Sequence, residues 1–147
     1  GNEQIEFLIS THTNADPKPI QKVASGGELS RISLAIRVAS ISEADVPSMI
    51  FDEVDVGIGG GVAEVVGKLL QNLGNGKNRQ IFVITHLPQV AAQAGQHYKV
   101  TKKIINNETV SAIQLLDETK RIEEIARMLG GIKITEATID HAKEILS

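Results

Sequence analysis

Cysteine is absent from the 147-residue chain, and so are long apolar runs and dense blocks of basic residues. A chain without thiols fits the reducing cytoplasm. No apolar run approaches the ~20 residues of a membrane-spanning helix, and no secretory signal opens the chain. The net charge is −3, so composition alone does not predict a strong DNA-binding surface. These absences favour a cytoplasmic protein without a membrane segment.

Three common site patterns are also missing. The glycines from Gly57 to Gly61 follow a predicted strand, but Val62 stands where GxGxxG, counted from Gly57, needs its third glycine. Gly76-Lys77 is followed by Asn78, so the phosphate loop GxxxxGK[ST] is not met there. The four histidines have no spacing typical of a zinc site. If the protein binds a nucleotide, the phosphate loop must come from residues outside this chain.

The composition is that of a globular domain. The chain is 41% hydrophobic and 22% charged, and its length is enough for one domain with a core. It begins with Gly1 rather than methionine, and we expect it to be a segment of a longer protein. We find no repeat and no domain linker, so we predict a single domain over residues 1–147.

The middle of the chain alternates apolar strands with helices, which predicts a mainly parallel sheet flanked by helices and covered on both faces. A β-hairpin with a turn at Asn106-Asn107 and two C-terminal helices follow. The predicted strands are Ile5–Ile9, Ser48–Phe51, Ile81–Thr85, His97–Ile105 and Thr109–Leu116. The predicted helices are Glu28 to about Ser42, Gly61 to about Gly74, Pro88 to about Ala94, Glu118–Leu129 and Thr135–Leu146.

The stretch Ser25-Gly26-Gly27-Glu28 precedes the first predicted helix. Ser25 and Glu28 are spaced as a capping box, which any helix can use. A capping box does not need the two glycines, but they let a ligand approach the main chain closely. Bare N–H groups at a helix start attract anions. Two interpretations therefore remain: Ser25 and Glu28 cap the helix, or the segment contacts a phosphate.

Polar residues follow two predicted parallel strands, at the edge where α/β sheets bind ligands. Asp52 and Glu53 end one strand, and Thr85 and His86 end the other. The acidic pair is either a solvated turn or a pair that holds Mg²⁺ and activates water. His86 is either structural or a contact for a phosphate or a water. The coincidence of both strands favours the functional alternative.

Taken together, four segments resemble the motifs of ATP-binding-cassette ATPases in order and spacing. They are Ser25–Glu28 for the signature motif, Met49–Glu53 for Walker B, Val54–Gly57 for the D-loop and Thr85-His86 for the switch histidine. More narrowly, KVASGGELSRISLAIR, IFDEVDVGIGGG, ITHLPQVAAQA and EEIARMLGG resemble the C-terminal head segment of the RecN family. This family comprises bacterial DNA repair ATPases related to the structural-maintenance-of-chromosomes (SMC) proteins.

The resemblance implies a fold and a set of roles. The fold is the C-terminal lobe of a P-loop NTPase head, whose phosphate loop lies in an N-terminal lobe beyond a long coiled coil. ATP and Mg²⁺ are the implied cofactors. By this resemblance, Asp52 would bind Mg²⁺, Glu53 would be the catalytic base and His86 would contact the γ-phosphate. Asp55 would make a contact across the dimer interface. The signature motif would contact the ATP of the opposite head through Ser25, Gly26, Gly27 and Glu28.

The implied partners are the N-terminal lobe, a second identical head bound in the presence of ATP, and DNA through the full-length protein. The resemblance also implies that the protein is located in the cytoplasm, at the bacterial nucleoid. Two alternatives remain: a head lobe of another cassette ATPase, such as a transporter subunit, and a non-catalytic dimerisation or DNA-interaction lobe. Lys99, Lys102 and Lys103 form a small basic cluster on the predicted hairpin, which is either a DNA contact or a solvated face.

Overall fold

The computed structural model describes residues 2–3, 5–10, 15–23, 29, 32–36, 47–52, 54–76, 79–131 and 133–147. The chain divides into two compact units. One comprises Gly1–Asp45 with Val56–Ile58, and the other comprises Val46–Asp55 with Gly59–Ser147. The single domain expected over residues 1–147 stays a prediction.

The first unit contains a small antiparallel sheet. Strand β1 (Leu8–Ile9) pairs with β2 (Lys18–Pro19), and the short helix α1 (Ile20–Val23) follows directly. The strand is shorter than the predicted Ile5–Ile9, because its partner strand ends at Pro19 and the chain continues from Ile20 as helix α1. Residues 32–36 are helical, as predicted, and Leu34 is buried.

The second unit is built on a parallel pair of strands, β3 (Ser48–Phe51) and β4 (Gln80–Val83). Helix α2 (Gly60–Asn75) connects them, as the alternating pattern predicts. One apolar stripe of α2 is buried, with Ala63, Val66 and Leu70 in the core. At the other end of the helix, Gly74 lies against Ile81 of β4, which places α2 on one face of the pair.

The opposite face of this pair is exposed. Side chains alternate along a strand, so Ile50 and Phe82, which are register partners, lie on the side away from Ile81. They are 72% and 43% exposed, and Ile84 just beyond β4 is 56% exposed. The sequence predicts cover on both faces, but the residues that the structure describes cover one. The apolar strand pattern therefore exceeds what the described residues bury.

Helix α3 (Pro88–Ala91) packs closely against α2. Proline at its first position suits a helix start, where no N–H is needed. A Cβ added at Gly67 of α2 would lie 3.1 Å from the carbonyl oxygen of Gln89 and 3.2 Å from the Cα of Val90. Glycine is therefore what allows the two helices to approach.

The predicted hairpin is confirmed. Strands β5 (Tyr98–Ile105) and β6 (Glu108–Leu115) pair antiparallel along their whole lengths. Asn106 and Asn107 have φ values of 51° and 66°, as a two-residue hairpin turn with left-handed central residues requires.

Two capped helices complete the second unit and carry its core. In α4 (Glu118–Gly130), Asp117 caps the N-terminus and Gly131, at a φ of 69°, follows the C-terminus. Helix α5 (Glu136–Leu146) begins with a capping box between Thr135 and Thr138. The fully buried residues at their contact are Ile125, Ala126 and Ala142. Among the helices that the structure describes, none is long and apolar enough to cross a bilayer.

Candidate functional site at the carboxyl ends of β3 and β4

The parallel register brings the ends of β3 and β4 together. Phe51 is the partner of Val83, and the N–H of Ile84 donates to the carbonyl of Phe51 at 2.9 Å. The loops that follow the two strands therefore begin side by side. One carries Asp52 and Asp55, and the other carries Thr85 and His86.

Asp55 is the centre of a polar cluster between these loops. Its Oδ2 accepts from the Thr85 hydroxyl at 2.6 Å and from the backbone N–H of His86 at 2.7 Å. The same oxygen lies 2.9 Å from Nδ1 of His86. Thr85 Oγ1 in turn accepts from the N–H of Leu87 at 3.0 Å. These contacts fix the loop that carries His86 to the loop that follows β3.

The Asp55 carboxylate is held in its charged form. The residue is 4% exposed, and burial by itself would raise its pKa. Donation from Thr85 and from the His86 backbone, together with the nearby imidazole, outweighs burial, so the pKa of Asp55 lies below its usual value. Asp55 is thus an acceptor and not a donor at neutral pH.

Asp52 and His86 differ in their surroundings. Asp52 directly follows β3 and is exposed, as a carboxylate that binds Mg²⁺ with some of its waters requires. The side chain of His86 is 74% exposed, although its Nδ1 contacts Asp55. Glu53, the predicted base, lies outside the described residues. Within the part of the chain that the structure describes, no three acidic, histidine or cysteine side chains are grouped as a metal site.

The predicted signature motif cannot be compared with the cluster. Ser25, Gly26, Gly27 and Glu28 all lie outside the described residues. Their roles stay predictions.

The basic cluster predicted on the hairpin is split between its two faces. Lys99 and Lys103 are four pairs apart on one face, and Lys102 lies on the other. Lys99 also donates to Glu124 of α4. The three lysines therefore do not form one basic surface.

Sequence reasoning missed the contacts of Arg121 with backbone carbonyls just after α3. Arg121 of α4 donates to the carbonyls of Ala92, at 2.9 Å, and Ala94, just beyond α3. Burial lowers the pKa of Arg121, which in a guanidinium leaves the charge in place. The sequence contained a signal for the Asp55–His86 contact, because neighbouring parallel strands place their following loops side by side. The sequence contained no signal for the Arg121 contacts, since the partners of Arg121 are backbone atoms about 30 residues away.

The fold is that of an SMC-type ATPase head. It resembles a structure from a study of ATP-driven dimerization and DNA-stimulated activation of SMC ATPases, with a TM-score of 0.64 and 22% identity, over 82% of this chain and 70% of that one. It also resembles the SMC head domain from Thermotoga maritima, with a TM-score of 0.55 and 29% identity, over 70% of this chain and 36% of that one. No family model matches the sequence.

Within this class, the chain matches one segment of the RecN DNA repair proteins over nearly its whole length. It is 52% identical over 146 residues to RecN of Xylella fastidiosa (strain 9a5c), 50% to that of Vibrio cholerae and 43% to that of Bacillus subtilis. Each alignment covers 99% of this chain. The chain spans 25–26% of the length of these relatives.

Proposed function

We propose that this chain is the C-terminal lobe of an ATPase head in a RecN-type protein that acts in the repair of DNA double-strand breaks. The observation that carries the proposal is the cluster of Asp55, Thr85 and His86 at the shared edge of β3 and β4, beside Asp52. The carboxyl edge of parallel strands is the ligand edge of such folds. Similarity to RecN at up to 52% identity favours this class over a transporter subunit.

The head would be completed by an N-terminal lobe that supplies the phosphate loop. The exposed face formed by Ile50, Phe82 and Ile84 supports this, because a continuous apolar patch marks an interaction surface. A two-stranded sheet is marginal alone, and among the described residues β3 and β4 pair only with each other. A further strand and an apolar cover from the remaining three-quarters of the protein would complete them.

The proposed site would bind ATP with Mg²⁺ and hydrolyse it. Asp52 would hold Mg²⁺, directly or through water, and the metal would neutralise charge on the phosphates. Glu53 would accept a proton from the attacking water, and His86 would meet the γ-phosphate. Each of these is a local role at one edge of the sheet, and the phosphate loop that they need would come from the N-terminal lobe of the same head.

Two heads would form the complete catalytic unit. Ser25, Gly26, Gly27 and Glu28 of one head would contact the ATP of the other, since a helix start with two glycines suits a phosphate. ATP would then hold the heads together and hydrolysis would release them. DNA would be bound by the full-length protein, in the cytoplasm at the nucleoid.

A trapping experiment tests the proposal in the full-length protein. Glu53→Gln removes the base but keeps the shape of the side chain, so the ATP-bound dimer should accumulate. Size-exclusion chromatography with ATP should show more dimer than for the wild type, and DNA-dependent ATP turnover should be lost. Glu64→Gln is the matched control, because Glu64 lies exposed on α2 and pairs only with Lys68 at 2.6 Å among the contacts described.

Two results would count against the proposal. Wild-type turnover that DNA leaves unchanged would oppose the DNA repair role. A Glu53→Gln protein that hydrolyses ATP as the wild type does would oppose the role of Glu53 and favour a non-catalytic lobe.

A further inference from the structure

We propose that Asp55 is a positioning residue for His86 of its own head, and that it does not serve the site of a second head. The inference rests on the proposed ATPase function. It differs from the role that the D-loop resemblance implies, in which Asp55 crosses the dimer interface.

The geometry ties Asp55 to its own chain. Two donors converge on Oδ2, the Thr85 hydroxyl at 2.6 Å and the His86 N–H at 2.7 Å, and His86 Nδ1 lies 2.9 Å from the same oxygen. The carboxylate is buried while the imidazole is largely exposed. The Asp55 carboxylate therefore supports the His86 ring from the buried side, and the exposed ring is the group that can contact a ligand.

Moving Asp55 to a second head would break all three contacts. The N–H of His86 and the Thr85 hydroxyl would then lose their acceptor at a part-buried site, which is unfavourable for any polar group. A charged acceptor gives stronger hydrogen bonds than a neutral one. The ionised state of Asp55, favoured by these donors, thus strengthens the arrangement within the chain.

The contact also selects the form of the His86 ring. A carboxylate can only accept, so the 2.9 Å approach of Nδ1 favours a hydrogen on Nδ1. In the neutral ring Nε2 then carries a lone pair and can accept from a water, whereas a hydrogen bond to a phosphate oxygen needs a hydrogen on both nitrogens. An acid that fixes the tautomer of a catalytic histidine in this way has a large effect on turnover in serine proteases, at about 10⁴-fold.

The first test is Asp55→Asn in the full-length protein. An amide keeps the shape but can turn its NH₂ toward Nδ1, which favours the wrong tautomer. We expect kcat to fall by about tenfold or more, with the KM for ATP nearly unchanged. In a His86→Ala background, Asp55→Asn should cause no further loss, because the residue acts through the ring. A full additional loss would overturn the proposal.

A second pair of variants guards against misfolding of Asp55→Asn. Thr85→Val removes one donor to Asp55, while Thr85→Ser keeps the hydroxyl. We expect a lower kcat for Thr85→Val than for Thr85→Ser, because only serine keeps the hydroxyl that donates to Asp55. Equal activity of the two variants would contradict the proposed support of His86.

Mixed heads separate action within one head from action across the dimer. Asp55→Asn is mixed with His86→Ala, and ATP turnover is measured. If Asp55 serves its own head, each site of the heterodimer carries one lesion and activity does not return. If it serves the other head, both lesions meet in one site, the other site is whole, and activity partly returns. Recovery would overturn the proposal.

A control mixture and a spectroscopic readout keep the two proposals apart. Ser25→Arg mixed with His86→Ala should regain activity, and failure there would count against the shared site of the proposed function. The tautomer test needs no turnover. In ¹⁵N-histidine-labelled full-length protein, His86 should carry its hydrogen on Nδ1, and Asp55→Asn should shift it to Nε2. An unshifted tautomer would refute the positioning role even if the ATPase proposal failed.

Discussion

Lys99 of the hairpin donates to the buried carboxylate of Glu124 in α4. Arg127, one turn further along α4, donates to the same carboxylate through Nη2 at 2.6 Å and Nε at 3.0 Å. Glu124 is only 6% exposed. Burial alone would raise its pKa, but Arg127 and Lys99 together hold it below its usual value. The charged carboxylate thus joins the hairpin to the C-terminal helices.

Replacing Glu124 with glutamine should therefore destabilise the chain. The substitution keeps the size of the side chain but removes the charge that two cations share, and we expect a loss of about 1–3 kcal/mol. Chemical denaturation followed by circular dichroism measures it. Asp140→Asn is the control, because Asp140 and Lys143 form an exposed ion pair at 3.3 Å, which contributes little. Equal effects of the two substitutions would show that burial of Glu124 is unimportant.

His97 should make stability fall as the pH drops below about 6.5, its ordinary pKa. Burial lowers the pKa of His97, and the charges of Arg121 and Lys99 lower it further against the opposing effect of Glu124. As the pH falls below 6.5, the unfolded chain therefore binds more protons than the folded chain. The contribution of neutral His97 to the free energy of unfolding is complete above pH 6.5, and it is lost as the pH falls through the lowered pKa of His97 in the folded chain. His97→Gln should flatten the unfolding free energy against pH in this window. His141→Gln, at an exposed position of α5, is the matched control. A slope that survives in His97→Gln would contradict the assignment.

Gly67→Ala should weaken the packing of α2 on α3. The new methyl group would lie 2.8 Å from Cγ of Gln93 and 3.1 Å from the backbone oxygen of Gln89, so the helices must move apart. Overpacking of this kind costs about 1–3 kcal/mol. Gly61→Ala, in the first turn of α2, meets no atom within 4 Å and should cause no loss. A lower melting temperature for Gly67→Ala alone is the expected result, and equal melting temperatures would contradict it.

The sequence predicted local features well because local chemistry determines them. The Asn106-Asn107 turn and the predicted bounds of α4 and α5 depend on neighbouring residues, which at the helix starts act as caps. The strand–helix–strand order around Ser48–Val83 followed from periodicity. Asp52 and His86 were predicted at one edge, and the register of β3 and β4 brings their loops together.

Two features lay beyond the sequence, for different reasons. The apolar pattern of β3 and β4 predicted cover on both faces, but Ile50 and Phe82 stay exposed in the part of the chain that the structure describes. The contacts of Arg121 with Ala92 and of Lys99 with Glu124 join residues 29 and 25 positions apart. Such pairs follow from the packing of elements, which periodicity alone does not specify.

The final prediction concerns Ser25, for which the capping and phosphate interpretations give different outcomes. As a cap alone, Ser25→Ala should cost about 1 kcal/mol of stability and leave ATP-dependent dimerisation intact. As a contact to the opposite head's ATP, Ser25→Arg or Gly27→Asp should stop hydrolysis in the full-length protein. ATP binding to the head's own phosphate loop should survive, because the lesion affects the other head's site. Mixing Ser25→Arg with Asp52→Asn then gives the sharper measurement. The heterodimer would hold both lesions in one shared site and leave the other whole, so ATP turnover should partly return. If turnover stays absent although both proteins are folded and exchange subunits, Ser25 does not act across the dimer.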